Sequence, residues 1–224
     1  MSDPAAKILC PSILNLPIDN MRAELEEIAA SGVDIIHVDL MDGAYVPNFG
    51  MSIREIDLIR EITTLPIDCH MMVQRPGRYV QLLADHGVDI IYIHPEAEIV
   101  PTETLAMIGS LGKKAGIAVN PGVSIEHISA ILPLCDYVMV MGVNPGHAGR
   151  SYMNYVTPKF EQLAKLRDQK NYPFKIVLDG GADERVITNL YHACGVEGYV
   201  LGKQLFFDQP NRTYAQSVNY IRGL

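Results

Sequence analysis

The sequence predicts an α/β fold, namely a single-domain (β/α)₈ TIM barrel formed by residues 1–224. Short apolar runs with strand character alternate along the whole chain with helix-period segments, eight of each. Most of the runs are continuously apolar rather than alternating, which is typical of parallel strands covered by helices. A short pattern recurs three times, at Gly32-Val33-Asp34, Gly87-Val88-Asp89 and Gly195-Val196-Glu197.

The predicted strands cover, in order, residues 8–14, 34–39, 67–73, 89–94, 115–119, 137–140, 175–178 and 198–201. The predicted helices cover residues 21–30, 52–62, 78–86, 103–113, 125–131, 156–169, 184–194 and 214–221. The glycine of each repeat follows a helix, where it suits the left-handed backbone of a C-cap, and a strand begins at once. Eight such units favour a closed barrel. An open doubly wound sheet is the alternative, which the missing Gly-x-Gly-x-x-Gly turn disfavours.

Composition and charge narrow the classes of function. The net charge of −8 argues against a nucleic-acid or anionic-membrane partner, although a small phosphorylated substrate would sense local groups only. No apolar run is long enough to span a bilayer, and the N-terminus lacks the pattern of a signal segment, so we expect a cytoplasmic protein. The cysteines are scattered without a paired motif and are expected to be reduced; they are Cys10, Cys69, Cys135 and Cys194.

Four ionisable side chains close otherwise apolar strands. His37 and Asp39 end the second predicted strand, His70 lies near the end of the third, and Asp179 directly follows the seventh. The carboxyl ends of barrel strands carry functional groups, so these four are expected to converge. A buried group of this kind needs a partner or a metal ion, and a nitrogen and oxygen set suits a divalent metal. The alternative is ordinary hydrogen bonding within the core.

Other side chains at the same end have two interpretations each. Met41, Met72 and Met141 each lie at a strand end, as core filler or as an apolar lid over a charged intermediate. Asp42, which precedes Gly43, is either a turn carboxylate or a group supporting the site. His94 ends the fourth strand and either lines the mouth or packs in the core.

Glycine-rich loops after the last three strands predict a phosphate site. Glycines let backbone N–H groups approach an anion, and such sites in barrels often follow strands seven and eight. Lys203, with Arg150 or His147, would add positive charge. The predicted loop residues are Gly146, His147, Ala148, Gly149, Gly180, Gly181, Gly202 and Lys203.

At this point the chain resembles the ribulose-phosphate 3-epimerase family. The resemblance extends from Pro11-Ser12-Ile13-Leu14 to Gly202. Its most specific motifs are His37-Val38-Asp39-Leu40-Met41-Asp42-Gly43 with Val46-Pro47-Asn48, Asp68-Cys69-His70-Met71-Met72-Val73, Val143-Asn144-Pro145-Gly146 and Asp179-Gly180-Gly181.

The resemblance implies a metal-dependent ketose-phosphate 3-epimerase. His37, Asp39, His70 and Asp179 would bind the metal, usually zinc or iron(II), while manganese and cobalt also suit this ligand set. Asp39 and Asp179 would be the catalytic acid and base in two-base proton transfer at C3 through a metal-stabilised enediolate. Ser12 and His70 would contact substrate near the metal, and the three methionines would cap the intermediate. The expected reaction interconverts D-ribulose 5-phosphate and D-xylulose 5-phosphate, and a homo-oligomer is implied.

The chain also departs from the family pattern. His147, Ala148, Ala182 and Lys203 replace the usual residues of the phosphate loops, whereas the metal and acid/base residues are intact. The chemistry is therefore better defined than the substrate. The Asp68-Cys69-His70 and His94-Pro95-Glu96 segments are similar to the allulose-6-phosphate 3-epimerase branch, so conversion of allulose 6-phosphate to fructose 6-phosphate is the alternative.

Two further functions compete with epimerisation. A metal-dependent sugar-phosphate decarboxylase of the orotidine decarboxylase superfamily would need an Asp-x-Lys-x-x-Asp motif. This chain instead has His37, Asp39 and Asp42 without the lysine. A non-catalytic sugar-phosphate binding protein on the same fold would be expected to lack a ligand or a carboxylate. All four positions are present, which disfavours that interpretation.

Overall fold

Eight parallel strands form one sheet that curves into a barrel. The computed structural model describes residues 6–224, so the first five residues of the predicted domain lie outside it. The neighbour order is β1-β8-β7-β6-β5-β4-β3-β2, with every pair parallel. The strands are β1 Ile8–Pro11, β2 Ile36–Met41, β3 Ile67–Met72, β4 Ile90–Ile93, β5 Lys114–Val119, β6 Tyr137–Met141, β7 Lys175–Asp179 and β8 Gly198–Leu201. The predicted (β/α)₈ barrel is confirmed.

An α-helix follows each strand. The helices are α1 Met21–Ala30, α2 Ile53–Ile62, α3 Val80–Asp85, α4 Pro101–Ser110, α5 Ile125–Ile128, α6 Thr157–Lys170, α7 Glu184–Cys194 and α8 Tyr214–Gly223. Among residues 6–224, none is both long and apolar enough to cross a membrane. The first strand ends at Pro11, earlier than predicted, and Ile13–Asn15 forms a 3₁₀ turn. Its Ile13 is as buried as a strand residue, so an apolar run could not distinguish the two.

The barrel closes at the seam between β1 and β2. Asp34 N–H donates to the Leu9 carbonyl at 3.1 Å, and a parallel bridge joins Ser12 to His37. Because this bridge lies at the carboxyl end of the strands, closing the barrel also fixes Ser12 beside a predicted ligand residue.

The amino-terminal end of the barrel carries a repeated carboxylate pattern that explains the sequence repeat. A carboxylate just before each even-numbered strand accepts the backbone N–H of the preceding odd-numbered strand at 2.8–2.9 Å. Each also pairs with a cation, which lies on a helix in three cases and at the start of β5 in the fourth. The acceptor, N–H donor and cation are Asp34, Leu9 and Arg222; Asp89, Ile67 and Arg60; Asp136, Ala115 and Lys114; and Glu197, Ile176 and Arg167. Polar pairing at this end therefore holds neighbouring strands together.

The core has two layers. A large layer lies between the helices and the strands, and a smaller one fills the barrel interior. In the interior, the buried ring of Tyr92 lies across Gly116 of the next strand, where an added Cβ would come within 2.4 Å of the ring. Tyr92 also pairs in register with His70, so this packing lies immediately beside the predicted site.

We expect Gly116→Ala to destabilise the protein. The added methyl group must displace the Tyr92 ring in a filled interior, and overpacking of this kind costs about 1–3 kcal/mol. Urea denaturation followed by circular dichroism measures the free energy of unfolding.

Gly109→Ala is the matched control. Gly109 lies within α4, and no heavy atom lies within 4 Å of an added Cβ there. Alanine at that position should stabilise the protein by up to about 1 kcal/mol. Equal stability of the two variants would contradict the packing of Tyr92 on Gly116.

Candidate metal centre and active site

Four side chains from three strands converge at the carboxyl end of the barrel. One ligand atom from each of His37, Asp39, His70 and Asp179 lies within 4.8 Å of the others. Oδ1 of Asp39 is 3.4 Å from both His37 Nε2 and His70 Nδ1. Oδ2 of Asp179 is 3.1 Å from His70 Nδ1. The structure therefore brings together the four residues that the sequence predicts as metal ligands.

The two imidazoles present nitrogens that need a partner. Both side chains are fully buried, and among residues 6–224 neither His37 Nε2 nor His70 Nδ1 has a hydrogen-bond partner. A buried nitrogen of this kind is costly unless something binds it. Two ligands of one tetrahedral ion, each about 2.0–2.1 Å from it, lie about 3.3 Å apart. The spacing and the unpaired nitrogens together fit a divalent metal ion.

Asp68 supports His37 and was not assigned a role from the sequence. Its Oδ1 lies 2.7 Å from His37 Nδ1, and both side chains are fully buried. A metal-ligating histidine is commonly held through its other nitrogen by a carboxylate, which leaves Nε2 free to ligate. The signal available in the sequence was the two-residue spacing from Asp68 to His70, which places both on one face of β3.

The protonation of the site follows from its burial and its charges. Burial alone opposes a charge on His37, but Asp68 and Asp39 outweigh it and raise its pKa well above the ordinary value of 6.5. The pKa of His70 is raised in the same way by Asp179 and Asp39 against the effect of burial. Burial opposes ionisation of Asp39, yet the two imidazoles hold the pKa of its carboxyl far below the usual range. Burial raises the pKa of Asp68 despite His37.

His94 lies in the core behind the site. It is fully buried, and its Nε2 lies 2.8 Å from His70 Nε2. Burial lowers the pKa of His94 to about 4, so its ring is neutral at physiological pH. Of the two interpretations left open by the sequence, the structure supports the core position, although the contact with His70 gives it more than a packing role.

An open pocket lies at the carboxyl end of the barrel, beside the four residues. Asp39 and Asp179 reach its floor, while His37 and His70 lie beneath it. Ser12 lines the pocket and donates from Oγ to Asp39 Oδ2 at 2.7 Å. Met41, Met72 and Met141 line it too. Met41 and Met72 pack together with Val46, whereas Met141 packs with the barrel interior.

The predicted phosphate loops also line the pocket. The lining residues there include Gly146, His147, Ala148, Gly149, Arg150, Gly180, Gly181, Gly202 and Lys203. Gly142 N–H donates to the Asp179 carbonyl at 2.6 Å, which ties the loop after β6 to the end of β7. Lys203 begins a short π-helix, Lys203–Phe207, which the sequence did not predict. These positions are compatible with an anion site in the same pocket as the metal-ligand candidates.

Asp42 has a structural position. Its Oδ1 accepts the N–H groups of Ala44 and Tyr45 at 2.9 and 2.8 Å, and its Oδ2 accepts Gln74 N–H at 2.8 Å. It therefore holds the loop after β2 against the loop after β3. Of its two predicted interpretations, the structure supports the turn carboxylate.

Comparison with known proteins adds to this geometry. The family model described as the ribulose-phosphate 3 epimerase family matches residues 8–206. The chain belongs to this family. The ribulose-phosphate 3-epimerase of a Synechocystis species is 35% identical over 96% of this chain and 93% of the relative. That of Bacillus subtilis is 30% identical over 96% and 98%. The predicted enzyme class, an isomerase that epimerises carbohydrates, is confirmed.

Solved structures show the same fold at low identity. A 3-keto-L-gulonate-6-phosphate decarboxylase from Vibrio cholerae has a TM-score of 0.75 at 14% identity, covering 98% of this chain and 97% of that chain. A phosphoribosyl anthranilate isomerase from Thermus thermophilus has a TM-score of 0.64 at 14% identity, covering 96% and 95%. These likenesses concern the barrel alone, since one fold hosts many chemistries.

We expect the affinity for Zn²⁺ to fall as the pH is lowered. The raised pKa values of His37 and His70 mean that protons compete with the ion for the same nitrogens. Because both pKa values are raised, this competition begins at a higher pH than it would for ordinary imidazoles. Each displaced proton should weaken binding about tenfold for each pH unit below the pKa. Competition titrations with a chelator across a pH series measure this slope.

Asp68→Asn should weaken Zn²⁺ binding about 10–100-fold, because the carboxylate no longer holds His37. Asp208→Asn, an exposed carboxylate after the π-helix, is the control and should leave the affinity unchanged. A binding constant independent of pH, or an Asp68 variant equal to the control, would refute this account of the site.

Proposed function

We propose that the protein interconverts D-ribulose 5-phosphate and D-xylulose 5-phosphate with a divalent metal ion, zinc being the first candidate. The observation that carries the proposal is the arrangement of Asp39 and Asp179 around one pocket above two buried histidines. Epimerisation at C3 needs a proton removed from one face of the substrate and another delivered to the opposite face. Two carboxylates on different sides of a pocket meet that requirement.

The fold separates the two carboxylates. Asp39 lies on β2 and Asp179 on β7, and β8 and β1 lie between these strands in the barrel. The two side chains therefore approach the substrate from different directions. In each direction of the reaction, one carboxylate takes the C3 proton and the other delivers a proton to the opposite face. Both carboxylates lie within 3.4 Å of His70 Nδ1.

The remaining side chains prepare the pocket for this transfer. A bound divalent metal supplies Lewis-acid stabilisation of the negative charge that develops on the substrate oxygens. Ser12 holds Oδ2 of Asp39 and fixes the direction in which that carboxylate faces the pocket. Met41 and Met72, both buried, exclude water above the site without offering a competing proton donor.

The phosphate group would lie among the loops after β6, β7 and β8. Backbone N–H groups of Gly180 and Gly181, with the ammonium of Lys203, form the anion site. Gly180 and Gly181 have φ values of +93° and +70°, a left-handed backbone that glycine adopts readily. Arg150 and His147 line the same side and are exposed, so they are available to the anion.

We also propose that the protein acts in the cytoplasm and forms a homo-oligomer. The four cysteines are buried and free, which suits a reducing compartment. Sedimentation analysis of the full chain measures the number of subunits.

Proton NMR of the zinc-loaded protein with D-ribulose 5-phosphate in D₂O tests the proposed function. We expect deuterium at C3 and the appearance of xylulose 5-phosphate. If neither appears while the metal content is confirmed, the pentose substrate is wrong. Allulose 6-phosphate is then the substrate to test in the same assay, given the similarity of the segments around His70 and His94 to that branch.

Asp179→Asn should lower kcat about 10²–10⁴-fold, because the variant has lost one of the two groups that carry the proton. Metal content must be measured alongside turnover, since Asp179 is also a proposed ligand. Asp183→Asn is the control in the same loop. It caps α7 by accepting Val186 N–H, a task that asparagine also performs, so its turnover should stay normal. Near-normal kcat in a metal-loaded Asp179 variant would exclude the two-base scheme.

Lys203→Ala should raise KM for the phosphorylated substrate far more than it lowers kcat. The ammonium contacts a part of the substrate that does not react, so its loss weakens binding of the substrate and of the transition state equally. Lys165→Ala, an exposed lysine of α6, serves as the control for loss of positive charge. An unchanged KM in the Lys203 variant would remove Lys203 from the phosphate site.

A further inference from the structure

His94 occupies a position between the site and a polar cluster at the ends of β4 and β5. Its ring is fully buried between two others, with centroids 5.0 Å from that of His70 and 4.8 Å from that of Tyr45. On one side its Nε2 meets His70 Nε2 at 2.8 Å. On the other, its Nδ1 lies 3.6 Å from Glu96 Oε1. A row of three ionisable side chains thus leads away from the proposed metal.

The contact between the two histidines restricts their protonation. A hydrogen bond between two ring nitrogens needs one N–H and one lone pair. His70 directs its Nδ1 toward Asp39 and Asp179. To ligate a metal through Nδ1, a neutral His70 must carry its proton on Nε2, and that N–H then donates to His94. His94 Nε2 must accept, which leaves the proton of His94 on Nδ1.

Glu96 favours this arrangement. The other tautomer of His94, with its proton on Nε2, would direct the Nδ1 lone pair at the carboxylate of Glu96, which is repulsive. An N–H at Nδ1 is instead attracted to that carboxylate. At 3.6 Å the interaction is electrostatic rather than a hydrogen bond, and among residues 6–224 Nδ1 has no hydrogen-bond partner. The preference therefore comes from the charge of Glu96 acting in a region where the histidine is fully buried.

The carboxylate of Glu96 is itself fixed. Tyr45 Oη donates to its Oε1 at 3.0 Å, and the amide of Asn120 donates to the same oxygen. Lys159 in turn holds the backbone of Asn120 by donating to its carbonyl at 2.8 Å. Side chains and backbone from the loop after β2, the end of β5 and α6 therefore maintain Glu96 opposite His94.

We propose that His94 and Glu96 are positioning residues that select Nδ1 of His70 as its metal-ligating atom. The inference rests on the proposed metal site, but not on the identity of the sugar. It makes the two histidine ligands different: His37 ligates through Nε2 with Asp68 at its back, and His70 through Nδ1 with a histidine and a glutamate at its back.

Zinc affinity, measured by chelator competition on the full chain, tests the role of His94. His94→Phe keeps a flat ring and removes the acceptor, so Zn²⁺ binding should weaken about 10–100-fold. His94→Gln places a side-chain amide oxygen near the former Nε2 and should recover most of the lost affinity. Equal affinities of the phenylalanine variant and the unchanged protein overturn the proposal. A protein that binds no Zn²⁺ before any substitution overturns the proposed metal site as well.

A second substitution tests the charge of Glu96, whose side chain is less buried than that of His94. Glu96→Gln should weaken Zn²⁺ binding in the same direction as His94→Phe but by a smaller factor, since the amide keeps the shape and loses the charge. Glu103→Gln, an exposed acid of α4, is its control and should bind Zn²⁺ like the unchanged protein. Identical affinities for the two glutamine variants would contradict the role of Glu96.

A spectroscopic measurement on the unsubstituted protein tests the proposal without relying on any variant. Long-range ¹H–¹⁵N NMR of the zinc-loaded, ¹⁵N-labelled protein reports which nitrogen of each histidine carries the proton. We expect protons on Nε2 of His70 and on Nδ1 of His94. A proton on Nδ1 of His70 would overturn the proposal, because that atom could not then bind the metal.

Discussion

The structure depends on the need to satisfy ionisable groups that are buried at the carboxyl end of the barrel. His37 and His70 are fully buried, yet one ring nitrogen of each has no hydrogen-bond partner among the described residues. Such groups are costly in an apolar core unless a partner or an ion is present. Three features position these two histidines: the surrounding carboxylates, the seam between β1 and β2, and the polar groups behind the rings.

The two ends of the barrel use carboxylates differently. At the amino-terminal end, Asp34, Asp89, Asp136 and Glu197 accept backbone N–H groups and pair with cations, so their oxygens are satisfied and the strands are held in place. At the other end, Asp39 and Asp179 meet histidines with open nitrogens beside a pocket. One end therefore contributes stability, and the other holds reactive groups at a position that the rigid strands define.

The pocket is lined by carboxylates at its floor and by glycine-rich loops elsewhere. Metal-ligand candidates and carboxylates come from strands, which fix them well, whereas the anion side comes from glycine-rich loops and exposed cations. By the sequence resemblance, the departures from the family pattern fall in these loops, at His147, Ala148 and Lys203. We therefore expect the proposed proton transfer to depend on the strands, and discrimination between five- and six-carbon substrates to depend on the loops.

The sequence by itself determined the barrel, because eight apolar runs alternate with eight helix-period segments, three of them followed by a capping glycine. It also indicated the four ligand candidates, because strand ends in a barrel must meet. It did not reveal that Ile13 lies in a turn or that Asp68 supports His37. The pairing of His70 with His94, and of His94 with Glu96, was decided only by the tertiary structure. These contacts join β3, β4 and the following loop, and the direction of a ring nitrogen depends on neighbours that no local pattern specifies.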